Sequence, residues 1–400
     1  MASRDGATRV RMKSMTLTEE REQSKQIREW ALRIARKYFA PIAVDVDESS
    51  RYPSEALAVI REQGFFGSLY PEEYGGTGLN CLTTVIVTEA FAEVCANSAF
   101  IVATQGLGSM PLILAGTDEQ KAKYLPRLAS GDMLAAFALT EPEAGSDAGG
   151  IKTHARRDGD DWVLDGHKCF ISEGDIADVI TVFASTDPEQ KHHGISAFLL
   201  ERGTPGFSTG RVEDKMGCRG SHATELTFDG CRLPPEALLG EPGQGFKIAM
   251  ETLNHGRPVA GALAVGTAAG ALAEATAYAK QRVQFGRSIG EFQGIQFMLA
   301  DMSAAVESSR LLVHKAARCA DDDDPDVAYW GALAKMFASD AAMKVTVDAV
   351  QIFGGYGYIR PSGVERRMRD AKFFQIGEGT NQIQRLTIAR WLLRGGDRAR

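Results

Sequence analysis

The chain changes its hydrophobic period twice, and this limits the folds open to it more than any other feature. Up to about residue 132, apolar residues recur at helical spacing. Residues 19–38 carry Ile27, Trp30, Ala31 and Ile34 on one face, with Pro41 as the stop. Further helices are expected over 54–63, ending at Gly64, over 82–95, and over 117–128 with Thr117 as N-cap. The apolar stretch 98–115 is interrupted by Gln105, Gly106, Gly108 and Pro111, so it reads as a core helix or turn and not as a membrane span. From about residue 133 the pattern shortens to strand-like runs at 179–186, 194–202 and 223–234, with Asp165-Gly166 read as a type I′ hairpin turn. From residue 245 it is helical again. Two long helices break near 285–290, and a third covers 327–353, after an acidic run at 321–324 read as a solvated loop.

The expectation is therefore an α+β chain. A disordered tail (1–15) precedes an N-terminal helical domain (16–132). A middle antiparallel β-barrel-like domain (133–244) and a C-terminal four-helix-bundle-like domain (245–400) follow. No βαβ alternation is present, no GxGxxG follows a strand, and no GxxxxGK[ST] loop occurs, which disfavours a Rossmann site and a P-loop. A net charge of −7 leaves no footprint for nucleic acid or an anionic membrane. The six cysteines lack CxxC or metal-like spacing, and His192-His193 has no third ligand nearby in sequence. No metal and a reducing, cytoplasmic setting are expected.

One carboxylate stands out against this frame. Glu378 sits between Gly377 and Gly379, followed by Thr380 and Asn381, both able to cap a helix. Ile383, Leu386, Ala389 and Leu393 then share one helical face. Glu378 is thus expected on a glycine-hinged elbow, where flanking glycines admit a ligand and a dry pocket raises a base's pKa.

Six stretches, taken together and in order, resemble the acyl-CoA dehydrogenase family over nearly the whole chain. They are LTEPEAGSD (139–147), DGHKCFISEG (165–174), KMGCRGSHATELTFDGCRLPPEALLG (215–240), RVQFGRSIGEFQGIQFMLADM (282–302), DAVQIFGG (348–355) and RDAKFFQIGEGTNQIQRLTIAR (369–390). The resemblance implies FAD-dependent α,β-dehydrogenation of an acyl-CoA thioester, with Glu378 as the base taking the α-proton. The family's other base position, on the helix at Asn254-His255-Gly256-Arg257, is Gly256 here and cannot act. By the same resemblance, Phe137, Leu139 and Thr140 match the strand beneath the isoalloxazine, and Gly145 and Ser146 a loop near phosphate and substrate. Phe170, Ile171 and Ser172 match the strand beside the ring. Arg282, Gln284, Phe285, Gln293, Gln351, Gly354 and Gly355 match the segments reaching a neighbouring subunit's FAD, and Thr380 and Gln382 hold FAD past the base. Ser146, Asn254, Arg257 and Gly379 match substrate contacts.

Three departures stand out: Phe170 for Trp, Glu173 for Asn, and Gly377 where some relatives carry a bulkier residue, which suggests a wider pocket. The implied partners are a short, medium or branched acyl-CoA, an electron-transfer flavoprotein and three further copies in a homotetramer. The alternatives on the same fold are a flavin oxidase or monooxygenase, or a dehydrogenase of carrier-protein thioesters.

Overall fold

A computed structural model describes residues 17–78 and 80–395. The expected tail at 1–15 lies outside the described residues. The first part is helical: α1 (Leu17–Ile34), α2 (Ala43–Ser49), α3 (Ser54–Glu62), α4 (Cys81–Val94), α5 (Ala96–Ala115) and α6 (Asp118–Ser130). Helix α2 was not anticipated, because Pro41 sits in a 3₁₀ turn after which the chain resumes helix. Proline is tolerated at a helix start, where its missing N–H has no partner to lose. Thr117 caps α6 through a reciprocal box with Gln120, which satisfies two orphan backbone donors.

The middle part is a sheet of β1 (Ala135–Ala138), β2 (His154–Asp158), β3 (Asp161–Ser172), β4 (Val179–Ser185), β5 (Ile195–Glu201), β6 (Phe207–Val212), β7 (Ala223–Leu233) and β8 (Leu238–Leu239). Its order is β6-β7-β3-β2-β4-β5-β8, and β4 pairs both β1 and β2 in parallel within an otherwise antiparallel sheet. The Asp165-Gly166 hairpin is not formed. The β2–β3 turn lies at Gly159-Asp160, and Gly166 (φ 149°) marks an irregularity within β3. A Cβ on Gly166 would lie 2.6 Å from Thr153 Cα, so close approach of two backbones, not a reversal, requires glycine there.

The third part holds α7 (Gly245–Gln281), a short ribbon β9 (Val283–Gln284) and β10 (Arg287–Ser288), then α8 (Gln293–Asp321), α9 (Val327–Phe353), α10 (Val364–Phe374) and α11 (Asn381–Leu393). Helices α7, α8 and α9 pack on one another, α4 lies on α7 and α8, and α10 and α11 lie on α9. Helices α5 and α7 are long and apolar enough to cross a membrane, but most of each is buried within the fold. Asp321 is not simply solvated. Its carboxylate accepts the Cys81 and Leu82 N–H groups at 2.6 and 3.0 Å, capping α4 from 240 residues away.

The α11 face shared by Ile383, Leu386, Ala389 and Leu393 is not the one turned inward. Asn381 and Gln384 point inward, while Leu386 is 48% and Leu393 86% exposed. The helix is held by polar anchors on its inner side, and its leucines join other uncovered apolar side chains, Phe285, Phe297, Leu311 and Tyr358.

Candidate active site

The Glu378 elbow is set by backbone conformation. Glu378 and Gly379 both take left-handed φ, 54° and 84°, before Thr380 Oγ1 caps α11 by accepting the Ile383 N–H at 3.3 Å. The two glycines have different reasons than ligand access. A Cβ on Gly377 would lie 2.5 Å from the Phe373 ring, so the space that glycine leaves is already filled and no wider pocket results. Gly379 relieves φ > 0, and a Cβ there would press on Gln384 Nε2 at 2.8 Å.

The side chain of Glu378 reaches a dry, cation-lined spot. Its Oε2 is shielded from solvent and accepts no hydrogen bond. Burial pushes its pKa up to about 7, with the charges of Lys335 and Arg257 pulling the other way. Burial likewise pushes Arg257 down to about 10 and Lys335 down to about 8. In all three the loss of water outweighs the mutual attraction. Arg257 donates to Asn254 Oδ1 at 2.8 Å and leaves its buried Nε unpartnered. A Cβ on Gly256 would lie 3.5 Å from Glu378 Oε2 and 3.6 Å from Leu107, so α7, α5 and the elbow meet at one point. The structure thus brings Glu378, Asn254 and Arg257 together. An orphaned acceptor beside an orphaned donor is what a site awaiting a polar ligand leaves behind.

The sequence reading missed Lys335 and Gln384. Lys335 is 1% exposed and donates to Gly379 O at 2.8 Å and Asn381 Oδ1 at 3.1 Å. Gln384 donates to Gly379 O at 2.9 Å and Glu378 O at 3.2 Å. The available signal was a lone lysine in the apolar run GALAKMFA, since a charge inside a helix face that is otherwise buried needs a partner.

The strand-side residues lie across α5. Its Gly108 packs so tightly on β1 that a Cβ would come within 2.5 Å of the Ala135 backbone. Phe137 is half-buried against Phe183, and Leu139 and Ile171 are buried. Leu139 O is taken by Lys168 Nζ at 2.9 Å, and Thr140 O by the Cys169 N–H at 3.0 Å. Lys168 also forms a fully buried pair with Glu141 at 2.7 Å, which ties the end of β1 to β3. Gly145 and Ser146 are exposed, and nothing lies within 4 Å of a Cβ on Gly145. Phe170 is 65% exposed at φ 56°, and Ser172 is half-buried beside it. Glu173 is buried, and desolvation pushes its carboxyl up to about 8.

The remaining cofactor candidates divide between two further places. Arg282, Gln284, Gly354 and Gly355 line a cavity of about 520 Å³ with Tyr278, Phe353 and Tyr356. There the Arg282 guanidinium lies 5.3 Å from the Tyr356 ring centre, and no neighbour lies within 4 Å of a Cβ on either glycine. Phe285, Gln293 and Gln351 stand exposed and do not line that cavity. Thr380 and Gln382 line a smaller cavity of about 280 Å³ with Asp340 and Arg385. An open glycine pair beside an arginine and aromatic rings fits a phosphate-bearing planar cofactor such as FAD. Among the described residues no group of three or more His, Cys, Asp or Glu is placed to hold a metal, and all six cysteines are unpaired.

Three domain families match the chain: acyl-CoA dehydrogenase N-terminal domain over 21–132, middle domain over 136–231 and C-terminal domain over 243–393. The chain is 51% identical to "Probable acyl-CoA dehydrogenase fadE25" of Mycobacterium leprae, across 93% of this chain and 96% of that one. It is 47% identical to the cyclohex-1-ene-1-carbonyl-CoA dehydrogenase of Geobacter metallireducens, across 90% and 95%. The solved butyryl-CoA dehydrogenase of Megasphaera elsdenii superposes with a TM-score of 0.90 at 42% identity, covering 96% of this chain and all of that one.

Proposed function

This chain belongs to the acyl-CoA dehydrogenase family, and we propose that it oxidises a short, branched or cyclic acyl-CoA with Glu378 as base and FAD as cofactor. The observation that carries this reading is the unpartnered Glu378 Oε2 in a desolvated spot beside Arg257, its pKa lifted to about 7. A carboxylate held near neutrality takes a weakly acidic α-proton far better than one at its ordinary value. FAD, when bound, supplies the two-electron acceptor. The chain's own residues do the rest. Glu378 takes the α-proton, the α-C–H electron pair becomes the second bond between the α and β carbons, and the β-hydrogen departs as hydride. The Glu378 N–H makes no hydrogen bond among the described residues, which leaves it free to donate to the thioester oxygen as negative charge gathers there.

The residues present suit the cofactor. Thr380, Gln382, Ser172 and the β1 strand would hold it on the base side, and Arg282 with Gly354-Gly355 would take the adenine end of a neighbouring subunit's molecule. The exposed Phe285, at 94%, and the uncovered Leu393 are apolar surface that association between copies would bury, and a homotetramer is the proposed assembly. Electrons would then pass to an electron-transfer flavoprotein, in the cytoplasm. The names of the relatives in Geobacter and Megasphaera support a small or cyclic acyl group.

The test is anaerobic titration of the purified protein with a panel of acyl-CoA thioesters, following the flavin's visible band. Bleaching by a small or cyclic thioester in wild type, absent in Glu378→Gln, supports the reading. Bound flavin that no thioester bleaches would sink it and favour a carrier-protein substrate. Fast peroxide formation with acyl-CoA as sole reductant would favour the oxidase.

A further inference from the structure

We propose that Lys335 is a positioning residue for the base: from α9 it clamps the Glu378 elbow through Gly379 O and Asn381 and sets a buried ammonium against the backbone that carries the carboxylate. The proposal rests on the reading of Glu378 as base.

The geometry is specific. Lys335 lies deep on α9, with its ammonium on Gly379 O at 2.8 Å and on Asn381 Oδ1 at 3.1 Å. Those two atoms belong to the residue just past the base and to the first residue of α11. The Asn381 amide is fixed in turn. Its nitrogen donates to Ser339 Oγ at 2.9 Å and to Asp340 Oδ1 at 2.7 Å, both on α9 one turn beyond Lys335. Asp340 also accepts from Gln375 and Arg385, each at 2.7 Å, which closes the loop from the end of α10 to α11. A single helix therefore grips both sides of an elbow whose left-handed φ at Glu378 an L-residue does not favour.

An uncharged donor could fill the same hydrogen bonds, so the choice of lysine needs a second reason. The charged groups facing Glu378 are Arg257 from α7 and Lys335 from α9, while α5 presents the apolar Leu107. Arg257 is directed at Asn254, whereas Lys335 is directed at the backbone that carries the base. Its charge keeps burial from lifting the carboxyl further, so that enough carboxylate remains near neutral pH to react. Glu378 is thus tuned from two sides, up by desolvation and down by a cation that does not itself touch the reacting atoms.

Lys335→Met and Lys335→Gln separate the two roles, because glutamine keeps a donor and loses the charge. Carboxyl titration of the purified holoprotein by difference infrared, and the pH profile of single-turnover flavin bleaching, are the readouts. In both variants the titration midpoint of Glu378 should rise by about one pH unit, the displacement expected on losing a cation close to a buried acid. Lys335→Met should also bleach about tenfold or more slowly even at high pH, and Lys335→Gln should recover much of that rate. If Lys335→Met does not fold, the midpoint in Lys335→Gln decides alone. Flavin-loaded variants that titrate and bleach as wild type does would overturn the proposal. Failure of the base reading shows separately, as bleaching that survives Glu378→Gln while the infrared midpoint still reports on Lys335.

Discussion

The elbow at Glu378 and the cavity at Arg282 are two halves of one expected chemistry, yet they are built in opposite ways. The elbow is finished within a single chain. Its cations, caps and backbone donors come from α7, α9 and α11, and its reactive oxygen is shielded. The cavity at the far end of α9 is open, edged by Tyr356 at 55% exposure and Ile359 at 47%. A reacting carboxylate needs a dry, fixed surround before substrate arrives, because its pKa and aim are set by desolvation and nearby charge. A cofactor tail needs only shape and a few charge-assisted contacts, which a neighbouring subunit can complete on assembly. Catalytic geometry is thus held by one chain's packing, while on the proposed reading the cofactor's far end would be completed only by association.

The comparison breaks most sharply with Glu378→Gln. Flavin bleaching by acyl-CoA should fall by about 10²–10⁴-fold or more, the range for losing a general base, with FAD content and subunit mass unchanged. The converse variants sit at the cavity and on the exposed turn between β9 and β10. Arg282→Ala should weaken FAD retention by roughly 10- to 100-fold, as expected when a charge-assisted contact is lost. Phe285→Asp should lower the oligomer's mass in sedimentation. Neither should move the Glu378 titration midpoint in the protein that retains flavin. A cavity variant that shifted that midpoint would show that the two regions are coupled.

Stability against pH sharpens the contrast further. Burial raises the Glu378 pKa from an ordinary 4.5 to about 7, so the folded chain holds that proton more tightly than the unfolded one. Its contribution to stability is full below about pH 4.5 and lost as pH rises through 7. Glu378→Gln, which cannot ionise, should therefore be more stable than wild type at pH 8 by about 1–3 kcal/mol. The gap should close at pH 5, as read by denaturant melts. The smallest effect should come from Gly354→Ala at the cavity. Gly354 ends α9 at φ 60° with open space around it, so the cost is backbone strain of roughly 1 kcal/mol, with no change in the pH dependence.

What the sequence determined by itself was whatever depends on local pattern. The order of helices, strands and helices follows from the hydrophobic period, and Thr117 and Thr380 are readable as caps because a cap is a contact within one helical turn. Glu378 was legible as a carboxylate on a glycine elbow ahead of a helix, and six ordered stretches pointed to the family. The tertiary structure decided whatever depends on partners distant in the chain. Asp321 became a cap for α4, Asp165-Gly166 became an irregularity in a strand pressed against Thr153, and Gly377 proved to make room for Phe373. The inner face of α11 turned out to be Asn381 and Gln384 rather than its leucines. Lys335 is the clearest case. In the sequence it is one lysine in a helix, and only the packing of α9 under the elbow places its charge against the backbone that carries the base. Burial and electrostatics depend on distance through space, and spacing along the chain does not encode that distance until the chain has folded.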